Sequence, residues 1–448
     1  MEASPHSNFM VAGFGKGQKT FRFLISRSIQ LAGKRYGRNV RGLIVIAALA
    51  AVSPVWAQDD PIVVEGDAVI TGGLADGDGE ADLDARVRVT GSAVLRGVEI
   101  GASAGLQVDG DRFDRRAAGG RYSSLTAGGL RGLGTQGSDV FIDRAYVFAR
   151  GGFGSLSVGA QEGVASRLAV TSPNIFRALG VNDWRADPSG LNDVNTVNDF
   201  SGVAPKVTYM PPPGFLGGLV GNVQMGVSYA PGLQTCGEND CLPADGGAYL
   251  LDASGNVVPQ DQRWRDVSEA ALYYQNGVTI GRNRLIFGVG ASYVQAEEEQ
   301  ASTMVEEEFL EDYEALALGL NLAYGDLTIG GSVKTTNAGL DEQQVGPSDY
   351  LAFDAGVTYT AGDWKMMLGY GQADAERDAS LLVGPRIDVP IPFALARRTQ
   401  TAQAGIAYAI GRGVTLGAAA QFVDSDKPDP LGGDEDAAAV MIESSIRF

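Results

Sequence analysis

From about residue 266 to the C-terminus, apolar and polar positions alternate in runs of about ten residues. That is the period of a strand whose two faces meet different surroundings. Short turn signals break the runs at Asn276-Gly277, Gly325-Asp326, Gly362-Asp363 and Gly411-Arg412-Gly413. One parity reads Ala270, Leu272, Tyr274, then Leu285, Phe287, Val289, Ala291 and Tyr293. Around Gly325 it reads Leu316, Leu318, Leu320, Leu322, Tyr324, then Leu327, Ile329, Gly331 and Val333, and the last run gives Val440, Ile442, Ser444, Ile446 and Phe448. None of these positions is charged. The other parity is small and polar and holds Arg284, Lys334, Asp354, Lys365, Arg397, Glu443 and Arg447.

Two features separate a barrel in lipid from a soluble sandwich. The short turns alternate with long polar connections (296–311, 337–349, 374–396, 425–436), which puts every short turn at one end. Aromatics of the apolar parity gather near those turns (Tyr274, Tyr324, Tyr359, Trp364, Tyr408, Phe448) and again at the far ends (Tyr293, Tyr370, Phe422). Two aromatic rings around an aliphatic band are what a transmembrane barrel shows to lipid, and a charge at the band's middle costs about 2–4 kcal/mol. The pattern predicts an all-β, antiparallel, up-and-down transmembrane barrel. Counted back from Phe448, its strands lie near 437–448, 413–424, 398–410, 363–373, 350–361, 326–336, 312–324, 280–295, 266–275, 220–230, 205–211, 153–161, 139–150, 98–109, 83–94 and 62–73, sixteen in all. An even count closes without leaving an edge in lipid. Sixteen strands enclose an aqueous channel.

Lys34, Arg35, Arg38 and Arg41 precede an apolar run from Leu43 to Val52, then Val55-Trp56-Ala57. The order is that of a secretory signal cut after Ala57, and the run is half the roughly 20 residues a membrane helix needs. This makes 1–57 an N-terminal extension with its signal and 58–448 the barrel. In an exported chain, Cys236 and Cys241 are expected to form a disulfide. Two thiolates without histidine are a poor metal site.

Charge narrows the function. Before residue 57 stand eight of the 35 bases and one of the 54 acids, leaving 27 bases against 53 acids, a net charge of −26. Such a body repels nucleic acid. The single histidine, His6, lies in the leader, so the barrel has no imidazole for acid–base or nucleophilic chemistry. No catalytic residue and no cofactor are expected, and the chain is not read as an enzyme. The acids of 76–84 alternate like a calcium loop, but Ala81 stands where the required glycine belongs. Glu297–Glu299 and Glu306–Glu308 are read as solvated charge, with surface Ca or Mg bridging to lipopolysaccharide as the sharper alternative.

Five stretches carry a family resemblance. Phe153-Gly154-Ser155-Leu156-Ser157-Val158-Gly159-Ala160-Gln161 resembles the Phe-Gly-x-Leu-x-x-Gly-Arg-Gln strand of the general bacterial porins, with Ala160 in place of the arginine. Arg144-Ala145-Tyr146-Val147 resembles the strand before it. Tyr209 to Gly217 resembles the turn after the constriction loop, with Pro211 in place of serine. Val64 to Ala68 resembles the first strand, and Arg447-Phe448 the signal read by the barrel-assembly machinery. The resemblance implies an outer-membrane homotrimer, surrounded by lipid and lipopolysaccharide, that lets ions and small hydrophilic solutes diffuse. A substrate-specific channel is the alternative. The segment 162–203 takes the place of the constriction loop that folds into the barrel. Its charges, Asp183, Asp187, Asp193, Asp199, Arg177 and Arg185, are the expected loop side of the constriction. Arg86 and Arg88, at i, i+2 spacing, aim at the lumen from the wall. Arg144 joins them or faces a subunit interface. Opposed charges at the narrowest point set selectivity, and the −26 body favours cations. The alternative, that each of these charges only solvates wall or loop, stands beside that reading.

Overall fold

The computed structural model describes residues 62–75, 78–109, 139–182, 187–212, 222–233, 249–251, 257–259, 263–299, 312–337, 350–378, 394–411, 413–426 and 433–448. The predicted leader (1–57) and Cys236 and Cys241 lie outside them.

Strands β1 (Ile62–Ala75), β2 (Asp78–Leu95), β3 (Val98–Asp109), β4 (Asp139–Gly151), β5 (Gly154–Gln161), β6 (Ala204–Met210) and β7 (Asn222–Leu233) begin the wall. It continues through β10 (Arg263–Ile280), β11 (Asn283–Glu299), β12 (Tyr313–Tyr324), β13 (Leu327–Thr336), β14 (Tyr350–Ala361), β15 (Trp364–Asp378), β16 (Ala394–Gly411), β17 (Val414–Asp426) and β18 (Glu435–Arg447). Each pairs antiparallel with its chain neighbours, and β1 pairs with β18, closing a barrel of sixteen strands. Two three-residue strands, β8 (Tyr249–Leu251) and β9 (Val257–Pro259), form a separate ribbon, which the pattern did not foresee. One short helix, α1 (Val164–Arg167), opens the long connection 162–203.

The alternation works as predicted. Leu318, Leu368 and Ile442 face outward with 47%, 60% and 62% of their surface exposed, which in water would be an aggregating sheet and in lipid is solvation. At the closure Phe448 and Gly66 exchange backbone hydrogen bonds of 3.0 Å in each direction. A Cβ at Gly66 would run into the Phe448 ring, so the glycine leaves the terminal aromatic its seat. One turn was misplaced. Asn276 and Gly277 lie inside β10, opposite Phe287 and Ile286, and the chain reverses at Gly281 (φ +65°). Val278 and Ile280 extend the outward parity past the Asn-Gly pair, and the left-handed backbone at Gly281 supplies the reversal.

Candidate functional site

The connection 162–203 joins β5 to β6, with the bounds read from the sequence. It lies inside the barrel and follows the inner wall twice. On the outgoing pass the Val164 N–H bonds Ser228 Oγ on β7 at 3.1 Å, and the Ala165 N–H bonds Glu269 on β10 at 3.2 Å. Val170 crosses Gly290 and Gly319, where a Cβ on Gly319 would run into the Val170 carbonyl. The Ser172 N–H reaches Asp354 on β14 at 3.1 Å. The Phe176 ring lies flat on Gly405 and Gly417, strands β16 and β17. Three successive N–H groups, of Arg177 (3.0 Å), Ala178 (2.9 Å) and Leu179 (3.3 Å), then converge on the Glu443 carboxylate of β18.

The return pass runs back along the same strands. Leu191 packs with Val423 and Ala437. Thr401 on β16 donates to Asn192 at 2.9 Å, and Val194 packs against Tyr350, Ala352 and Ala373. Thr196 donates to Asp354 at 3.0 Å, and Lys334 on β13 donates to the Val197 carbonyl at 2.9 Å. Phe200 stacks on Tyr313 at 3.8 Å, and Lys206 holds the Gly202 carbonyl at 2.9 Å while pairing with Glu269 at 4.0 Å. Asn192 Nδ2 donates to the Val181 carbonyl at 3.0 Å, tying one pass to the other.

The wall's charges thus divide by role. Acids hold N–H donors of the outgoing pass and lysines hold carbonyls of the return pass. Lys206, Glu269, Lys334, Asp354 and Glu443 are all buried beneath the connection. A buried ionised group is tolerated only when paired or hydrogen-bonded, and the unpaired backbone of an irregular segment supplies those partners.

At the depth of the connection, the charges left open to the lumen sit on β1 to β4 and on the connection itself. Arg86, on β2, pairs with Asp67, on β1, at 3.4 Å, and the Arg177 guanidinium reaches the same Asp67 oxygen from the connection, also at 3.4 Å. Arg88 forms a two-pronged contact with Asp143 on β4, 2.5 Å from Nε and 2.9 Å from Nη2. Arg144 Nε meets the same carboxylate at 3.2 Å. A bulge makes this possible. Gly105 pairs with Arg144 and Leu106 with Ile142, so Asp143 is an extra residue and both it and Arg144 turn inward. Tyr146 and Phe148 share that inner face, being paired with Ser103 and Gly101. Arg144 therefore belongs to the lumen and not to an outer interface.

On the wall side the structure brings Arg86, Arg88 and Arg144 together. On the loop side it brings only Arg177 to them. Asp187 is 1% exposed, with its carboxylate taking the Ser189 N–H (3.0 Å), the Ser189 hydroxyl (2.7 Å) and the Asn192 N–H (2.7 Å). Asp193 is equally buried, at 1%. Both expectations are corrected: the Asp187 side chain satisfies the backbone of its own turn, and Asp193 is carried into the wall by the extended return pass, whose backbone there takes the Tyr350 hydroxyl at 2.8 Å. Asp199 is half-buried near β6, with its carbonyl accepting the Gly202 N–H at 2.8 Å. Asp183 and Arg185 lie outside the described residues. Sequence reasoning missed the partners Asp67 and Asp143 and the anchors Glu443, Asp354 and Glu269. A charge at an inward position of an otherwise small and polar face was the available signal for Glu443 and Asp354. Nothing local announced the bulge at Asp143.

A family profile described as Gram-negative porin matches residues 46–428. No curated protein sequence matches the chain. Among solved structures, OmpF of Salmonella typhi in complex with daunomycin is similar at a TM-score of 0.51 and 13% identity, over 88% of this chain and 99% of that one. A loop-L8 deletion mutant of OmpT from Vibrio cholerae gives 0.50 and 12%, over 86% and 99%. An anion-selective porin from Comamonas acidovorans gives 0.49 and 16%, over the same shares. With the profile spanning most of the barrel and sixteen strands closed around an infolded connection, the chain belongs to the Gram-negative porin family and forms a diffusion channel in the bacterial outer membrane.

Proposed function

We propose that ions and small hydrophilic solutes pass between the infolded connection and the β1–β4 wall, and that this gap favours anions. One observation carries the sign. Four guanidiniums (Arg86, Arg88, Arg144, Arg177) meet there around two carboxylates (Asp67, Asp143). Across the strands, Arg447 stands beside Asp67 and Glu65 beside Arg88, and Glu162 at the start of the connection also acts on Arg88, so one positive charge is left over. The acidity of the whole chain points the other way, but its acids crowd the long connections, and the other inward charges from β6 to β18 at this depth lie beneath the loop. In a narrow low-dielectric pore, nearby fixed charge outweighs charge beyond a Debye length, about 8 Å at physiological salt.

The test is single-channel recording in a salt gradient. The wild-type reversal potential is expected on the anion side, and Arg86→Ala with Arg88→Ala should move it toward cations. Reversal potentials unchanged by the double substitution would reject this placement of the selectivity charges.

Three copies around one axis, a lipid and lipopolysaccharide surround, assembly through Phe448, removal of 1–57 and a Cys236–Cys241 disulfide complete the proposal on the strength of the family and the exported sequence. The barrel sequence has no histidine, its inner acids Glu269, Asp354 and Glu443 hold the loop, and Asp67 and Asp143 are paired with arginines.

A further inference from the structure

We infer that the pore is electrically polar along its axis and passes current better in one direction than in the other. Four bases stand on the inner face at the short-turn mouth. Arg150 lies two residues beyond Phe148, its guanidinium carbon 4.1 Å above that ring. Arg284 lies over Gly277, where a Cβ would stand 2.5 Å from its Nε. Lys365 pairs across the sheet with Ala407, which is buried against the loop, and Arg447 pairs with Asp67. All four are exposed and come from β4, β11, β15 and β18, so they are spread around the rim. Among the described residues, the acids of that mouth are Glu65 and Glu99, the latter 3.8 Å from Arg150, and Asp326 and Asp363 in the turns, beside the turn arginines Arg96 and Arg282. With the arginines of the constriction just above, this half of the pore is positive.

The other mouth is the opposite. Among the described residues, the strand ends there carry Glu297, Asp312, Glu314, Asp424, Asp426, Asp434, Glu435 and Asp436, while Arg265 and Arg398 are paired with Glu297 and Asp374. At 0.1 M salt the Debye length is about 10 Å, so each mouth collects its own counterions, cations at the long-connection end and anions at the short-turn end. When the long-connection side is positive, cations enter through the acidic mouth and anions through the basic one. Both accumulate inside and conductance rises. The reverse polarity drains both populations outward and conductance falls. This rests on the channel reading but not on the sign of the constriction's preference.

The experiment records single channels in symmetric KCl. Orientation is fixed with Ala361→Cys, in a chain carrying Cys236→Ser and Cys241→Ser, alkylated from one side by a bulky impermeant maleimide. At 0.1 M the current at 100 mV, long-connection side positive, is expected to exceed that at the opposite polarity by about twofold, and at 1 M, where the Debye length is about 3 Å, the ratio should approach one. Replacing Arg150, Arg284, Lys365 and Arg447 by Gln should reduce the asymmetry strongly. Should that chain fail to fold, Arg284→Gln with Lys365→Gln should reduce it. Symmetric wild-type currents at 0.1 M, asymmetry of the opposite sign, or asymmetry that survives both 1 M salt and the neutralised rim would overturn the inference. Complete absence of conductance from a folded barrel is a distinguishable result and would overturn the channel reading beneath it.

Discussion

Glu443 carries a sharp test of the proposed constriction, because one side chain sets the place of another. Its buried carboxylate takes the N–H groups of Arg177, Ala178 and Leu179 at 3.0, 2.9 and 3.3 Å. Hydrogen bonds to a charged group contribute about 1.5–3 kcal/mol each. Three would sum to more, but the N–H groups border a wet lumen and regain water once freed, so a loss of about 2–4 kcal/mol of seating free energy is the reasonable figure. At about 1.4 kcal/mol per tenfold, that lowers the seated fraction relative to the released one by 30- to 700-fold, roughly. In Glu443→Ala the segment 176–179 should leave the wall and take the Arg177 guanidinium away from Asp67. The barrel itself should persist, since β18 keeps its backbone ladders to β1 and β17. The assay is reversal potential and open-channel noise, with heat-modifiable gel mobility as the control for folding. Reversal should shift toward cations and noise should rise. Glu443→Gln, which keeps an acceptor oxygen but brings an NH2 against the same donors, should fall between. In an Arg177→Ala background Glu443→Ala should shift the reversal potential little further, because its effect on selectivity runs through that guanidinium. A Glu443→Ala channel with wild-type reversal and noise would refute the reasoning.

Asp143→Asn removes the carboxylate between Arg88 and Arg144, and should move the reversal potential further toward anions at 0.1 M salt, with the change shrinking at 1 M, where the Debye length is about 3 Å. Gly319→Val puts a side chain where the Val170 carbonyl lies. Overpacking of this kind costs about 1–3 kcal/mol, so conductance should fall as the outgoing pass is pushed into the lumen. The same conductance with the same unfolding temperature would show that the wall and loop are not in contact there. Gly66→Leu displaces the Phe448 ring from its seat, and should lower the temperature at which the heat-modifiable band is lost, by an amount set by the same range of about 1–3 kcal/mol.

The sequence by itself determined the barrel, because a strand in lipid has two faces of different chemistry and the alternation records this at every residue. Leu316 to Tyr324 and Val440 to Phe448 could be assigned to the outside from parity alone, and so could the inward aim of Arg86 and Arg88. The sixteen strands and the end at which the short turns lie were legible for the same reason, and the inward fold of 162–203 followed from its place between two stretches that resemble the porins. Parity says toward which side a residue points and nothing about what it meets there. Only the tertiary structure decided that Glu443, Asp354 and Lys334 meet the connection while Arg86 and Arg88 meet the lumen. Only it showed Asp187 and Asp193 withdrawn into the loop. Asp143 defeats parity altogether: one inserted residue places two neighbours on the same face, and the partner strand, not the local sequence, decides where the insertion falls. The outer face of this protein answers to a uniform solvent, which a residue-by-residue pattern can encode. The inner face answers to a folded segment of the same chain, whose path is settled by contacts between residues far apart in sequence.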